Sequence, residues 1–272
     1  MNRNLIDELA VFVDSFDGMS DVWKYYFEIF DKYWPDCSLN RYLVTNSKDF
    51  AEKNLKILKT GGDRNWFTMT YKALLMIKNK YIFFMIEDDF MSEYANEQLL
   101  SEIIDYMENN DVFFYRFTCP LNYPKNQGYI QVHGDVIYPI SIQPAIWRTE
   151  KLIEALAKLE SEGCKSPWDF ERYFIELYKN YDNKMIIPGI RYDSRGLFGF
   201  TNGIIQGLWD PRIVRFYSKR GIEINTGERG VMPRTKVLAD AIKSNKIIHS
   251  MSFEKQLMVK NFLKKLGFRF IT

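Results

Sequence analysis

Tyr81-Ile82-Phe83-Phe84-Met85-Ile86 is an unbroken apolar run that ends in three adjacent carboxylates, Glu87-Asp88-Asp89. It is too short to span a membrane and rich in aromatic and β-branched side chains, so it reads as a strand buried on both faces. Such strands belong to α/β sheets, whose ligands bind outside the strands' carboxyl ends. The acids therefore stand where a ligand is expected. Neighbouring carboxylates repel one another, and a divalent hard cation is the natural compensator. Mn²⁺ or Mg²⁺ is the expected cofactor, because both take oxygen ligands and share them between carboxylates and substrate phosphates. Alternation along a strand lets Glu87 and Asp89 converge while Asp88 points elsewhere, unless the strand has already turned. Asp89 is the expected metal ligand. Glu87 and Asp88 stay open between a second ligand and a helix cap.

The chain before this strand alternates in type. Leu9-Ala10-Val11-Phe12-Val13 reads as a first buried strand, turning at Asp14-Ser15-Phe16-Asp17-Gly18. Ser20 is expected to cap a helix that carries Val22, Tyr26, Ile29, Phe30 and Tyr33 at helical spacing until Pro35 stops it. Tyr42-Leu43-Val44-Thr45 reads as a second strand, Asn46-Ser47 as the start of another short helix, and Leu55, Ile57 and Leu58 as a third strand closed by Gly61-Gly62. A helix from Trp66 to Ile77 follows. Strands and helices in this order predict a doubly wound α/β sheet. Past the acids, the pattern predicts a helix from Asn96 to Met107, a strand from Val112 to Phe117 and a loop or short hairpin from Pro120 to Gly134. Ser141 to Trp147 precedes a helix that runs through Leu159. Ser166, Pro167 and Asp169 then supply the N-cap, first-turn proline and capping-box acid of one more helix.

Charge is unevenly spread. The net value of +2 conceals fourteen Lys and Arg against four acids from Pro211 onward. This divides the chain into a main domain over 1–210 and a basic extension over 211–272. The extension is expected to touch an anionic membrane surface; no nucleic-acid-binding signature accompanies the charge, so nucleic acid is not an expected partner. Cys37, Cys119 and Cys164 are odd in number and far apart, which fits reduced thiols and excludes a disulfide framework or zinc site. Acids at Asp7 and Glu8 stand where a signal peptide has its apolar region, and no run approaches the length of a membrane span. The expected location is the cytoplasm, peripheral at the inner face of the membrane.

A first strand ending in Asp14, Asp63-Arg64 and Trp66 opening a helix, a strand ending in Glu87-Asp88-Asp89, and a later helix start with Trp168-Asp169-Phe170-Glu171 together resemble the GT-A glycosyltransferases. Among these, the chain is similar to bacterial enzymes that build capsular or lipopolysaccharide glycans, over about residues 8 to 210. The resemblance implies a Rossmann-like mixed sheet flanked by helices, and transfer of a sugar from a nucleotide-sugar donor, with UDP favoured, to a glycan or lipid-linked acceptor. It places both the nucleotide-sugar site and the acceptor site in the domain over 1–210. It implies donor contacts from Asp14, Asp63, Arg64, Trp66, Glu87 and Asp88. The family's Asp-any-Asp motif is matched with Glu at its first position. Asp169 and Glu171 resemble the acidic pair of inverting members, one of which deprotonates the acceptor. Trp168, Gln143 and Trp147 are the acceptor-side candidates, although a core role suits Trp147 better. His249 is a further possible metal ligand, and Arg229 and Arg234, with Gly227 and Gly230, form a possible loop over the diphosphate.

Rival readings are weaker. A haloacid-dehalogenase phosphatase needs its second Asp two residues after the first, whereas Asp17 follows Asp14 by three. A nucleotidyltransferase wants a Gly-rich phosphate loop after the first strand, and Asp14 to Ser20 holds a single glycine. A non-catalytic glycan-binding protein on a degenerate transferase fold is harder to separate; acids at both Glu87 to Asp89 and Asp169 to Glu171 argue against it.

Overall fold

The computed structural model describes residues 4–62, 65–118, 128–134, 136, 138–182, 184–233, 237, 258–259 and 262. Contacts divide the chain into two compact units, Met1–Thr201 and Asn202–Thr272.

In the first unit, a short helix α1 (Leu5–Glu8) leads into β1 (Leu9–Asp14), which is buried along its whole length, as a strand covered on both faces must be. A 3₁₀ turn at Asp17–Met19 feeds α2 (Ser20–Tyr33), so Ser20 is the first helical residue and not the cap. β2 (Asn40–Thr45) and β3 (Leu55–Lys59) follow. No helix starts at Asn46-Ser47. The N–H groups of Asn46, Ser47 and Lys48 are instead taken by the Asp17 carboxylate at 3.0–3.3 Å, which removes the reason to coil. α3 (Trp66–Leu74) is capped by Asn65 and leads to β4 (Tyr81–Ile86). β5 (Asp89–Met91) and α4 (Glu97–Asn109), capped by Asn96, come next, then β6 (Phe114–Arg116) and β7 (Tyr129–His133). β8 (Ala145–Arg148), α5 (Thr149–Ser161), α6 (Pro167–Tyr178) and β9 (Ile186–Asp193) complete the main body.

Eight strands form one sheet in the order β3-β2-β1-β4-β8-β6-β9-β7. β8 pairs antiparallel with β4 and β6, and β7 pairs antiparallel with β9; the other pairings are parallel. The fold is thus a mixed, doubly wound α/β sheet flanked by helices. β1 sits between β2 and β4, so the chain winds to one side of β1 and then returns to the other. Aromatic packing anchors both faces: Trp34 of the α2 end lies 6.2 Å from Phe83, and Phe170 of α6 lies 5.9 Å from Trp147 and 5.6 Å from Trp66.

Within the eight-stranded sheet, β8 and β9 are strands that the pattern did not predict, as are the short β5 and the strands from Phe200 onward outside that sheet. Four residues of β8 are swallowed by the helix signal after them, and β9 reads Ile186-Ile187-Pro188-Gly189, with two strand breakers inside it. Gly189 adopts φ +70°, and a Cβ there would run into the Phe113 ring. Gly189→Ala is therefore expected to cost about 1–3 kcal/mol, read as a lower denaturant midpoint at unchanged slope.

The short β10 (Phe200–Asn202) spans the boundary between units. In the second unit, β11 (Ile204–Ile205) and β12 (Leu208–Trp209) form a hairpin across Gln206-Gly207, both with positive φ. Asp210 then caps α7 (Pro211–Ser218) by accepting from the Arg212 N–H at 2.8 Å. Among the described residues no helix is long and apolar enough to cross a membrane. Most of the basic extension, including Arg234 and His249, lies outside the described residues.

Candidate functional site

A cavity of about 930 Å³ opens at the carboxyl ends of β1, β2 and β4. That volume suits a ligand of nucleotide size, and the place where β1 separates β2 from β4 is where doubly wound sheets bind theirs. Asp14, Ser15, Phe16 and Asp17 line it from β1, Asn46 and Ser47 from β2, and Glu87 and Asp88 from β4. Trp66 and Met69 of α3 close one side; Ile142 and Lys165 to Pro167, at the start of α6, close the other.

The acids differ in environment. Asp14 is 4 % exposed, and burial pushes its carboxyl up to about 7, although it accepts hydrogen bonds from Trp66 Nε1 at 2.5 Å and from Thr70 Oγ1 at 3.1 Å. Asp17 is exposed by comparison. Its slight burial acts upward, but hydrogen bonds from Ser47, Lys48 and Asn46 outweigh it and hold the group below its ordinary range. Asn46 Oδ1 accepts the Asp17 N–H at 3.0 Å in return, so the loops after β1 and β2 clasp each other.

β4 ends at Ile86, and Glu87-Asp88 form a turn before β5 begins at Asp89. The strand has turned before alternation applies. Glu87 and Asp88 therefore both line the cavity, whereas Asp89, as buried as Glu87, opens β5 and is not among the lining residues. The expected convergence of Glu87 with Asp89 is corrected by this turn. Among the described residues there is no group of three or more His, Cys, Asp or Glu placed to hold a metal. The described residues thus offer no closed cage. Glu87 and Asp88 fit the open mode, in which phosphate oxygens complete the shell.

The helix-start acids separate as clearly. Asp169 Oδ2 accepts from the N–H of Lys165 at 3.0 Å, the N–H of Ser166 at 2.9 Å and Ser166 Oγ at 2.9 Å, and Oδ1 pairs with Arg172. These bonds, that from Lys165 foremost, hold its carboxyl well below the usual range. It is the capping-box acid, ionised and fully engaged. Glu171 is half-buried; desolvation raises its carboxyl, offset in part by the Ile142 N–H, at 3.2 Å from Oε1, and by the charge of Arg116. Among the described residues its Oε2 accepts no hydrogen bond.

The remaining expectations divide as follows. Trp66 lines the cavity and anchors Asp14, so its indole does more than pack. Trp147 is a core residue, 1 % exposed and 4.6 Å from the Phe114 ring, which corrects its acceptor-side assignment. Gln143 is exposed and accepts from Arg116 Nη2 at 2.7 Å. Trp168 is 67 % exposed beside Pro167. Asp63 and Arg64 lie outside the described residues.

No protein-family model matches the chain, and no curated protein matches it. Solved structures do. S. aureus TarS is similar at 12% identity and a TM-score of 0.41, over 69% of this chain and 36% of that one. TarS 1–349 in complex with UDP-GlcNAc is similar at 13% identity and a TM-score of 0.43, over 92% of this chain and 77% of that one. A cytidylyltransferase from Leptospira borgpetersenii is similar at 12% identity and a TM-score of 0.38, over 64% and 71%. This chain thus spans about a third of the first of these.

Sequence reasoning missed Thr70, the Asp17–Asn46 clasp and Arg116. Arg116 had a usable signal, since a cation at the carboxyl end of a predicted strand faces the ligand edge. Thr70 had none; a hydroxyl inside a helix is bland until the strand beside it is known.

Proposed function

We propose that this protein is a metal-assisted, inverting glycosyltransferase of GT-A type, taking a nucleotide-sugar donor, with UDP favoured, and a glycan or lipid-linked acceptor in surface-polysaccharide synthesis. The observation that carries this reading is the cavity at the β1–β4 switch point, with Asp14, Glu87 and Asp88 on one wall and the start of α6 on another. In this reading the base and ribose lie along Phe16, Asp17 and Asn46. Glu87 and Asp88, rather than Asp89, hold Mn²⁺ or Mg²⁺ together with the diphosphate. When bound, that ion neutralises the leaving diphosphate as a Lewis acid. Glu171 takes the acceptor proton on Oε2, and the Ile142 N–H fixes its other oxygen. Asp169 builds the helix start that carries Glu171 and does no acid–base work.

Calorimetry with UDP and Mn²⁺ tests the reading. UDP is expected to bind more tightly with Mn²⁺ present, and Asp88→Ala to remove about tenfold or more of that affinity. Asp89→Ala is expected to leave it unchanged; the reverse result would return the metal to Asp89. If neither UDP, GDP nor CMP binds with or without metal, the transferase reading falls.

A further inference from the structure

The carboxyl edge of the sheet continues past the cavity. Register places Phe84 of β4, Ala145 of β8, Arg116 of β6 and Tyr192 of β9 in one row. Arg116 therefore lies two strands from β4, roughly 10 Å across the sheet. Phe84 and Tyr192 belong to the core cluster shared with α6, so Arg116 rises on the same face as Glu171.

Its guanidinium is held by direct hydrogen bonds to neutral groups, with the Glu171 carboxylate near enough to feel its charge but not paired with it among the described residues. Nε donates to Thr118 Oγ1 at 2.6 Å, Nη2 to Gln143 Oε1 at 2.7 Å and Nη1 to the Tyr138 carbonyl at 3.5 Å, and the group lies over the Tyr192 ring at 5.4 Å. All these partners are neutral. Among the described residues no carboxylate pairs with it, in contrast to Arg41, Arg148, Arg195 and Arg212, each of which holds an Asp. The second N–H on each terminal nitrogen is left without an acceptor among the described residues. A planar cation oriented by neutral neighbours, with spare parallel donors, is built for an oxyanion.

We propose that Arg116 forms an anion subsite on the acceptor side, binding a phosphate or carboxylate group of the acceptor while its hydroxyl meets Glu171. This rests on the transferase reading for the word acceptor, though not for the anion. Gln143 and Thr118 act as positioning residues that hold the fork. An acceptor lacking such a group would still reach Glu171 but bind less tightly, so the subsite sets specificity through KM.

The test titrates methyl phosphate, and acetate in parallel, into the full chain with and without saturating UDP and Mn²⁺. The Nε–H signal of Arg116 is followed by NMR, and affinity by calorimetry. Methyl phosphate is expected to shift the Arg116 signal saturably, and Arg116→Gln to weaken its binding by about tenfold with UDP affinity unchanged. Arg116→Lys should restore part of the loss, since charge remains and the fork does not. Stronger binding of acetate than of methyl phosphate would assign a carboxylate-bearing acceptor. An unmoved Arg116 signal, or equal methyl phosphate affinity in Arg116→Gln, would overturn the proposal. The NMR result decides in the wild-type chain even if the variants misfold. Failure of UDP to bind would remove the donor reading, and the nucleotide-free titration would then decide by itself whether Arg116 binds an anion.

Discussion

Glu171→Gln is expected to lower sugar transfer by about 10²–10⁴-fold while nucleotide affinity stays unchanged. The reason lies in how the two helix-start acids are spent. Asp169 is saturated by three donors and an arginine, so a proton on it would break the cap. Glu171 has one oxygen fixed by the Ile142 N–H, and burial raises its affinity for protons. Asp169→Asn should therefore act mainly on stability, by roughly 0.5–2 kcal/mol as a lost capping contact, with a modest effect on rate. Initial rates and melting curves of both variants separate the two roles. A base needs its ionised form, so the acidic limb of kcat/KM should lie above the ordinary Glu range and vanish in Glu171→Gln. Full turnover in that variant would remove the assignment.

The second large effect concerns stability and pH. In the unfolded chain Asp14 titrates near 3.8, whereas in the folded, ligand-free protein burial raises it to about 7. Between those values the folded state holds a proton that the unfolded state has lost. Stability is therefore fully favoured below the lower value and falls as pH rises through the window, by up to about 4 kcal/mol. Asp14→Asn keeps an oxygen for Trp66 Nε1 and Thr70 Oγ1 and removes the titration. Its denaturant midpoint should change little between about pH 5 and about pH 8, where the wild-type midpoint falls. Equal slopes for the two proteins would show that Asp14 is not the group responsible.

The sequence and the structure agree where apolar runs are long. β1 and β4 are covered on both faces, so periodicity and burial say the same thing about Leu9 to Val13 and Tyr81 to Ile86. The capping box at Ser166 and Asp169 was legible because it is local chemistry within one turn. What was hidden depends on partners distant in the chain. Asn46-Ser47 looks like a helix start until Asp17 supplies its acceptor, and Glu87-Asp88-Asp89 looks like a pleated run until the turn after Ile86 is known. β9 was obscured by Pro188 and Gly189, which its pairing with β6 and β7 tolerates. For the same reason Trp147 could be a ligand contact or core filling on sequence grounds, and its burial between β6 and α6 decides for the core.

The reciprocal bonds between Asp17 and Asn46 have a further consequence for recognition. Two loops already tied by six contacts from Asn46, Ser47 and Lys48 to one carboxylate have little left to lose when a ligand arrives. That side of the cavity behaves as a lock cut in advance rather than a glove, and association there carries a small ordering penalty. Ligands soaked into crystals of the free protein should enter this rim without cracking the lattice.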